Sequence, residues 1–233
     1  MTIARIGFAY NPTNDAAVEL RERAAGWCRM HGIDQWAAQA QDFDQLCREL
    51  ATTDALVVLG GDGTFLRAAR AVIQVDVPLL GVNLGKVGFL SKVEANDLEA
   101  VLAKLKAGEF AIDERMALEA RVLPAGRSGG DAVHHALNDI VVARGALARV
   151  VRMDVAIGDS HLATFIADGL VVSSPTGSTS RIGRSRARTS TTSPTLSGRS
   201  SRPSIDTIAS FASTTRHRTT WLGATTTERI AER

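Results

Sequence analysis

The chain has 233 residues, of which 45% are hydrophobic and 22% charged, and its formal net charge is +2. This length supports a large buried core in one or two domains. No run of about 18 apolar residues occurs, and residues 1–10 lack the basic start and long apolar segment of a signal peptide, so we expect a cytoplasmic protein without a membrane segment.

The first hundred residues alternate short apolar runs with helical patterns, which is typical of βαβ units around a parallel sheet. Helix starts and stops are marked by Asn14 or Asp15 before the first helix and by Gly108 after the last. The pattern predicts strands at residues 3–9, 35–38, 55–59 and 79–82, and helices at residues 14–30, 44–51, 65–73 and 95–106.

From about residue 110 the pattern changes to short alternating strands with few helical periods between them. Turn residues at 126–131 and 158–160 separate these strands. The pattern predicts strands at residues 117–123, 136–142, 151–157, 161–166 and 170–173. We therefore expect an α/β domain over residues 1–109 and an antiparallel, all-β second domain over residues 110–179.

The end of the chain differs in composition from the rest. Residues 1–179 contain 17 basic and 22 acidic residues, whereas residues 180–233 contain 10 Arg, no Lys, 3 acidic residues and 22 Ser or Thr. With few clustered apolar residues, this tail cannot bury enough surface to offset the entropy of ordering it, which predicts disorder. A basic tail is also typical of proteins that bind nucleic acid or membrane surfaces.

A glycine-rich turn follows the predicted strand at residues 55–59. Residues 60–64 read Gly-Gly-Asp-Gly-Thr and precede a helix, an arrangement that lets the backbone approach phosphate oxygens at a helix N-terminus. The turn lacks the Lys-Ser/Thr ending of a P-loop and the spacing of a dinucleotide-binding GxGxxG. Asp62 has two functional roles open to it, proton acceptance from an attacking hydroxyl or help in holding Mg²⁺. The alternative is that Asp62 only caps the helix beginning near Thr64.

Four motifs in order carry a resemblance to a known family. The first is residues 60–64, shared by NAD kinases and by lipid kinases of the diacylglycerol and sphingosine type. The others are NLGKVGFL at residues 83–90, ALND at residues 136–139, and Asp168-Gly169 with PTGST at residues 175–179. Residues 1–179 therefore resemble an ATP-NAD kinase, with the fold shared by NAD and diacylglycerol kinases.

The resemblance implies an enzyme that phosphorylates the 2′-hydroxyl of the adenosine ribose of NAD to give NADP. ATP or polyphosphate would be the donor, with Mg²⁺ or another divalent cation, and the family implies a homo-oligomer where the C-terminus is intact. It also implies that the phosphate contacts come from one short stretch: Gly60, Gly61, Gly63, Thr64 and Arg67.

The resemblance likewise implies roles in binding NAD. Asp62 would be the general base, and Gly63 would contact NAD through its backbone. Asn138 and Asp139 would hold the second nucleoside, although the family usually has Glu where this chain has Asp139. Three further NAD contacts are implied in the second half of the chain, at Arg149, Asp168 and Thr179.

The resemblance ends within one motif, because the family continues after Thr179 with Ala-Tyr-Ser and this chain continues with Ser180-Arg181-Ile182. A shifted reading frame accounts for the abrupt change, and we expect neither a nucleic acid nor a membrane as partner. A divergent natural terminus and a nucleic-acid-binding extension are the alternatives. The β-rich domain is then truncated at residue 179. A catalytically inactive nucleotide-binding remnant, or a lipid or sugar kinase with the same glycine loop, remains an alternative to an NAD kinase.

Overall fold

The computed structural model describes residues 3–75, 77–85, 90–91, 93–124, 132–143, 150–157, 160–177, 196–199 and 207–223. Its helices are α1 (Asp15–Met30), α2 (Phe43–Leu50), α3 (Asp62–Val72) and α4 (Leu98–Ala107), with a 3₁₀ turn at Ala95–Asp97. Its strands are β1 (Arg5–Tyr10), β2 (Asp34–Gln39), β3 (Ala55–Leu59), β4 (Leu79–Asn83), β5 (Val93–Glu94), β6 (Ala111–Pro124), β7 (Ala132–Ala136), β8 (Asp139–Ala143), β9 (Val151–Ile157), β10 (Ser160–Ala167), β11 (Gly169–Ser173), β12 (Leu196–Arg199) and β13 (Thr207–Gly223).

The chain divides into two compact units. Unit 1 comprises Met1–Arg115 and Arg218–Arg233, and unit 2 comprises Met116–His217. Unit 1 is α/β with a parallel sheet and unit 2 is rich in β-strands, so the predicted fold class is confirmed.

The sheet of unit 1 is parallel and has the strand order β4-β3-β1-β2, with β5 also paired to β4. Strands β3 and β4 are buried along their whole length, as expected for strands covered on both faces by helices. The end of β13 adds a further parallel pairing, Trp221 with Leu79. Because β2 and β3 lie on opposite sides of β1, the chain changes direction in the sheet between β1 and β3.

Helices α1 and α4 cover one face of this sheet. Their C-terminal ends agree with the prediction to within one residue, but α4 begins at Leu98, three residues later than predicted, because residues 95–97 form the 3₁₀ turn. Of the two cap candidates, Asn14 is the N-cap of α1, and its side-chain oxygen accepts a hydrogen bond from the backbone N–H of Ala17 at 3.3 Å. Gly108 ends α4 in the left-handed conformation, with φ of 74°. The core includes Ile6, Phe8, Leu20, Trp27, Val57, Leu59, Val82, Leu98, Leu102 and Leu105. Among the residues that the structure describes, no helix has the length and apolar character needed to cross a membrane.

Antiparallel pairs make up unit 2. β6 pairs with β7, β9 with β10, and β8 with β11. The single strand predicted at residues 136–142 is wrong, because the structure divides this segment into β7 and β8. Leu137 and Asn138 separate the two strands, and their carbonyl groups accept hydrogen bonds from Ser174.

Part of the Arg-rich tail forms strands, which differs from the expectation of disorder. β12 pairs antiparallel with β9 and with residues 209–211 of β13. The sequence of β13 is rich in Thr and contains Ile208, Phe211 and Trp221, residue types that favour extended backbone. The disorder prediction considered burial and charge alone, and so it omitted this preference. Residues 178–195, 200–206 and 224–233 lie outside the described residues.

Candidate active site

The glycine turn lies at the carboxyl end of β3, beside the carboxyl end of β1. Ligands of open α/β sheets bind in the crevice outside such a point, where neighbouring strands lead to helices on opposite faces. Gly60 follows β3 directly and α3 begins at Asp62. The turn therefore occupies the part of unit 1 where the fold itself favours a ligand.

Gly60 is fixed by contacts within the protein. Its N–H donates to the carbonyl of Val82 at 2.9 Å, which joins the turn to β4. A Cβ atom at Gly60 would lie 2.8 Å from Oγ1 and 2.9 Å from Cβ of Thr64, closer than real Cβ contacts. Glycine is thus required at this position by the side chain of Thr64.

Gly61 and Gly63 are exposed, and apart from the neighbouring backbone no described atom lies within 4 Å of where their Cβ atoms would be. Packing within the described residues therefore does not explain why these two positions are glycine. A ligand that approaches the bare backbone of the turn would explain it.

Asp62 does not cap the helix, so the structural alternative for this residue is wrong. The N-cap of α3 is Gly61, which supplies no side-chain hydrogen bond, and Asp62 is the first helical residue. Its Oδ1 accepts a hydrogen bond from the backbone N–H of Leu90 at 3.2 Å. The carboxylate is half-buried and lies at the positive end of the helix dipole.

The segment after β4 contacts the glycine turn at a second point. Ser91 is only 1% exposed, and its hydroxyl donates to the carbonyl of Gly60 at 3.3 Å. Asn83, at the end of β4, is also buried, and its Oδ1 accepts from the N–H of Gly85 at 3.4 Å. The first two sequence motifs are therefore in contact, while residues 86–89 lie outside the described residues. Sequence reasoning missed Ser91, whose only signal was its position directly after the second motif.

Arg67 is exposed on α3, four residues after Gly63. Residues four apart lie on the same face of a helix, one turn from each other. Arg67 thus lies on the helix face that carries the exposed glycine, which agrees with a contact to a phosphate bound at the turn.

In unit 2, hydrogen bonds join the third and fourth motifs. The N–H of Ser174 donates to the carbonyl of Asn138 at 2.8 Å, and the Ser174 hydroxyl donates to the carbonyl of Leu137 at 2.5 Å. The N–H of Gly177 in turn donates to the Ser174 hydroxyl at 3.2 Å. A Cβ atom at Gly177 would lie 2.5 Å from the carbonyl carbon of Asn138, so glycine is required here by close approach. Ser174 was another residue that sequence reasoning missed.

The side chain of Asn138 has an unused acceptor. Its Oδ1 is buried and has no hydrogen-bond donor among the described residues. Leaving such a group unsatisfied costs about 1–3 kcal/mol, which a donor on a ligand would recover. Asp139 begins β8, is half-buried and lies opposite Ser173 of β11.

The other predicted NAD contacts are Asp168, Arg149 and Thr179. Asp168 is exposed at the bend between β10 and β11. Arg149 and Thr179 both lie outside the described residues.

The two cysteines lie in α1 and α2, outside these motifs. Burial raises the pKa of the Cys28 thiol to about 11, and burial followed by the charge of Asp44 raises the pKa of Cys47. Both cysteines are free. The part of the chain that the structure describes contains no group of three His, Cys, Asp or Glu side chains arranged to hold a metal ion.

Comparison with known proteins gives a consistent result for both units. The family model of the ATP-NAD kinase N-terminal domain matches residues 4–110, and that of the ATP-NAD kinase C-terminal domain matches residues 137–184. An NAD kinase of Dehalococcoides mccartyi is 41% identical over 175 residues, which cover 75% of this chain and 61% of the relative. An NAD kinase of Heliobacterium modesticaldum is 39% identical over 181 residues, covering 75% and 63%. The chain thus spans less than two thirds of the length of these relatives.

Two solved structures share the fold. Yeast NADH kinase complexed with NADH aligns with a TM-score of 0.81 at 18% identity, covering 97% of this chain and 84% of that one. An NAD kinase from Archaeoglobus fulgidus in complex with ATP aligns with a TM-score of 0.65 at 17% identity, covering 94% and 93%. At these identities the likeness establishes the fold.

Proposed function

Because this chain belongs to the ATP-NAD kinase family, we propose that it transfers a phosphoryl group from ATP to the 2′-hydroxyl of the adenosine ribose of NAD, giving NADP. The observation that carries the proposal is the position of Asp62, a carboxylate in a glycine turn at the carboxyl end of β3. Proteins of the same fold bind NADH and ATP, which agrees with both substrates.

Asp62 would act as the general base. The 2′-oxygen of the ribose attacks the γ-phosphorus of ATP in line with the bond to the β–γ bridging oxygen, which breaks as ADP leaves. The hydroxyl proton passes to the carboxylate of Asp62. The Leu90 N–H occupies Oδ1 and so limits the orientations of the carboxylate. A carboxylate held in one orientation loses less entropy when it meets its substrate.

The glycine turn would bind the phosphates of the donor. Gly61 and Gly63 present backbone without side chains, and the first turn of α3 adds a positive dipole end. Thr64 offers a hydroxyl donor, and Arg67 offers a guanidinium one turn along the helix. Polyphosphate presents the same oxygens and is the alternative donor.

NAD would be bound by the third and fourth motifs, which lie in unit 2. Asn138 has a buried oxygen that needs a donor, and an exocyclic amine or a ribose hydroxyl provides one. Asp139 would accept from the same nucleoside. We assign further NAD contacts to Gly63, Arg149, Asp168 and Thr179 on the family resemblance.

The glycine turn also fits a Mg²⁺ ion that would be bound together with ATP. Mg²⁺ in phosphoryl-transfer sites is bound by one or two carboxylates together with substrate phosphates. Asp62 is a carboxylate placed at the phosphate turn, so the residues present fit a cation that arrives with ATP. Bound there, the metal would neutralise charge on the phosphate oxygens during transfer.

Replacing Asp62 with Asn tests the proposal. The variant keeps an acceptor for Leu90 but cannot take a proton, so we expect NADP formation to fall by about 10² or more while NAD still binds. Coupled measurement of NADP formation and calorimetry with NAD would follow the two effects separately. The matched control is Asp97→Asn, since Asp97 is exposed and makes no capping bond.

Three results would contradict parts of the proposal. Near-normal turnover in Asp62→Asn would remove the general base. A wild-type chain that binds NAD but forms no NADP would be the inactive nucleotide-binding protein. Phosphorylation of diacylglycerol or a sugar phosphate in place of NAD would indicate the lipid or sugar kinase class.

A further inference from the structure

Ser91 is buried and contacts the glycine turn of residues 60–64. Its side chain is almost fully enclosed, with 1% exposure, and its hydroxyl donates to the carbonyl of Gly60. A buried hydroxyl is stable only where it has a partner, so this bond constrains where Gly60 lies.

Strand β4 has a glycine where Ser91 packs against it. A Cβ atom at Gly81 would lie 2.8 Å from Oγ of Ser91 and 2.9 Å from Cδ2 of Phe65 in α3. Any side chain at Gly81 would therefore displace the serine hydroxyl or the first turns of α3. The missing Cβ of Gly81 lets Ser91 approach β4 and reach the carbonyl at the end of β3.

The residue before Ser91 holds the carboxylate of the turn. The N–H of Leu90 donates to Oδ1 of Asp62 at 3.2 Å. Leu90 and Ser91 are adjacent, so the serine bond to Gly60 fixes the backbone that presents this N–H. Two adjacent residues therefore hold the glycine turn. The Ser91 hydroxyl bonds to the carbonyl of Gly60, and the Leu90 N–H bonds to the carboxylate of Asp62.

We propose that Ser91 is a positioning residue for Asp62, which it orients through the Leu90 N–H and the Gly60 carbonyl. The inference rests on the proposed function for its effect on turnover. The coupling itself concerns two hydrogen bonds in unit 1. Displacements of about 1 Å in a reacting group cost up to 10² in rate, so loss of this anchor should be visible in catalysis.

The first test is amide hydrogen exchange in Ser91→Ala, which needs no turnover. Without the hydroxyl, the Leu90 amide should exchange at least about tenfold faster, while amides of β1 and β3 keep their wild-type rates. Thr53→Ala is the control, because Thr53 donates a hydroxyl bond to the carbonyl of Glu49 at the opposite end of β3 and also accepts one from Trp36. Although this variant loses two bonds, its Leu90 amide should keep the wild-type exchange rate. Unchanged Leu90 exchange in Ser91→Ala would overturn the proposal.

The second test is a double-mutant cycle on turnover. Ser91→Ala should lower kcat about tenfold with less than a twofold change in the KM for NAD, and it should add little in the Asp62→Asn background. Equal effects of Ser91→Ala in both backgrounds would indicate a general structural role and contradict the proposal. A wild-type chain without NADP formation would refute the proposed function, and the exchange result would still decide the role of Ser91.

Discussion

At the scale of single residues, a substitution at Gly63 should weaken ligand binding without lowering the stability of the fold. Gly63 is exposed in the first turn of α3, and apart from the neighbouring backbone no described atom lies near its missing Cβ. Gly63→Ala should therefore keep or raise the free energy of unfolding, by up to about 1 kcal/mol, because Ala is the better helix former. The same methyl group would meet the phosphates, so we expect the KM for ATP to rise at least about tenfold.

Gly26→Ala in α1 is the matched control for Gly63→Ala. Beyond the backbone of its own helix, the one described atom near its Cβ would be Nη2 of Arg29 at 3.8 Å, so the methyl group fits. Denaturant unfolding and steady-state kinetics should show similar stability in both variants and weakened ATP use in Gly63→Ala alone. Wild-type kinetics in Gly63→Ala would mean that no ligand approaches this glycine.

Single residues also show which contacts the sequence can predict and which it cannot. Asn14 was one of the two predicted caps of α1, and its side-chain oxygen does accept from a backbone N–H of the first turn, so this local rule is confirmed. The same rule suggested a cap role for Asp62, which is wrong because the carboxylate bonds to Leu90, 28 positions away. Contacts between distant residues, including those of Ser91 and Ser174, leave no local pattern in the sequence.

At the scale of elements, an ion-pair network joins β6 and β7. Glu119 and His135 are direct partners in the two strands, and Glu119 also bonds to the guanidinium of Arg121 at 2.8 Å. Arg121 and, to a smaller extent, His135 lower the pKa of Glu119 below its usual value of 4.5. A lowered pKa in the folded state stabilises the fold above pH 4.5, and this stabilisation is lost as the pH falls through the lowered value.

Glu119→Gln tests the contribution of this network. The variant should show a smaller loss in the free energy of unfolding between about pH 5 and pH 3 than the wild type, measured by urea titration at each pH. Glu99→Gln is the control, since Glu99 pairs with Arg23 at 3.3 Å on an exposed surface where screening weakens the interaction. An identical pH dependence in Glu119→Gln and the wild type would exclude a stabilising role for the carboxylate of Glu119 and its bonds to Arg121 and His135.

The observed bounds of the strands and helices show which of them can be predicted from local sequence patterns. β3 and β9 begin and end where their apolar patterns predict, because β3 is a continuous apolar run that is fully buried and the sequence of β9 alternates Val, Met, Val and Ile with other residues. Helix α3 begins three residues earlier than predicted, since Gly and Asp were taken as loop residues although the first helical turn tolerates them. The break between β7 and β8 could not be predicted, because it depends on bonds from Ser174.

At the scale of the whole molecule, the first half of the chain supplies a hydrophobic core for unit 1. Among the residues whose burial the structure describes, all members of its main hydrophobic cluster, with those packed against it, lie between Ile3 and Phe110. A fragment of residues 1–115 should therefore unfold cooperatively on heating, followed by circular dichroism, and should form no NADP because Asn138 and Asp139 are missing. A non-cooperative transition would mean that residues 218–233, which complete unit 1, are needed for its stability.

The order of the strands in unit 1 also determines how the chain is exposed while it is being synthesised. Strand β1 leaves the ribosome first, yet it lies between β2 and β3, and its second neighbour is complete only when Leu59 has emerged. Until then β1, an interior strand of the finished sheet, has one unpaired edge, and an open apolar edge pairs readily with another chain. Pairing between strands distant in sequence is slow. The speed of translation between the end of β2 and the end of β3 therefore sets how long nascent chains can pair with one another instead of folding.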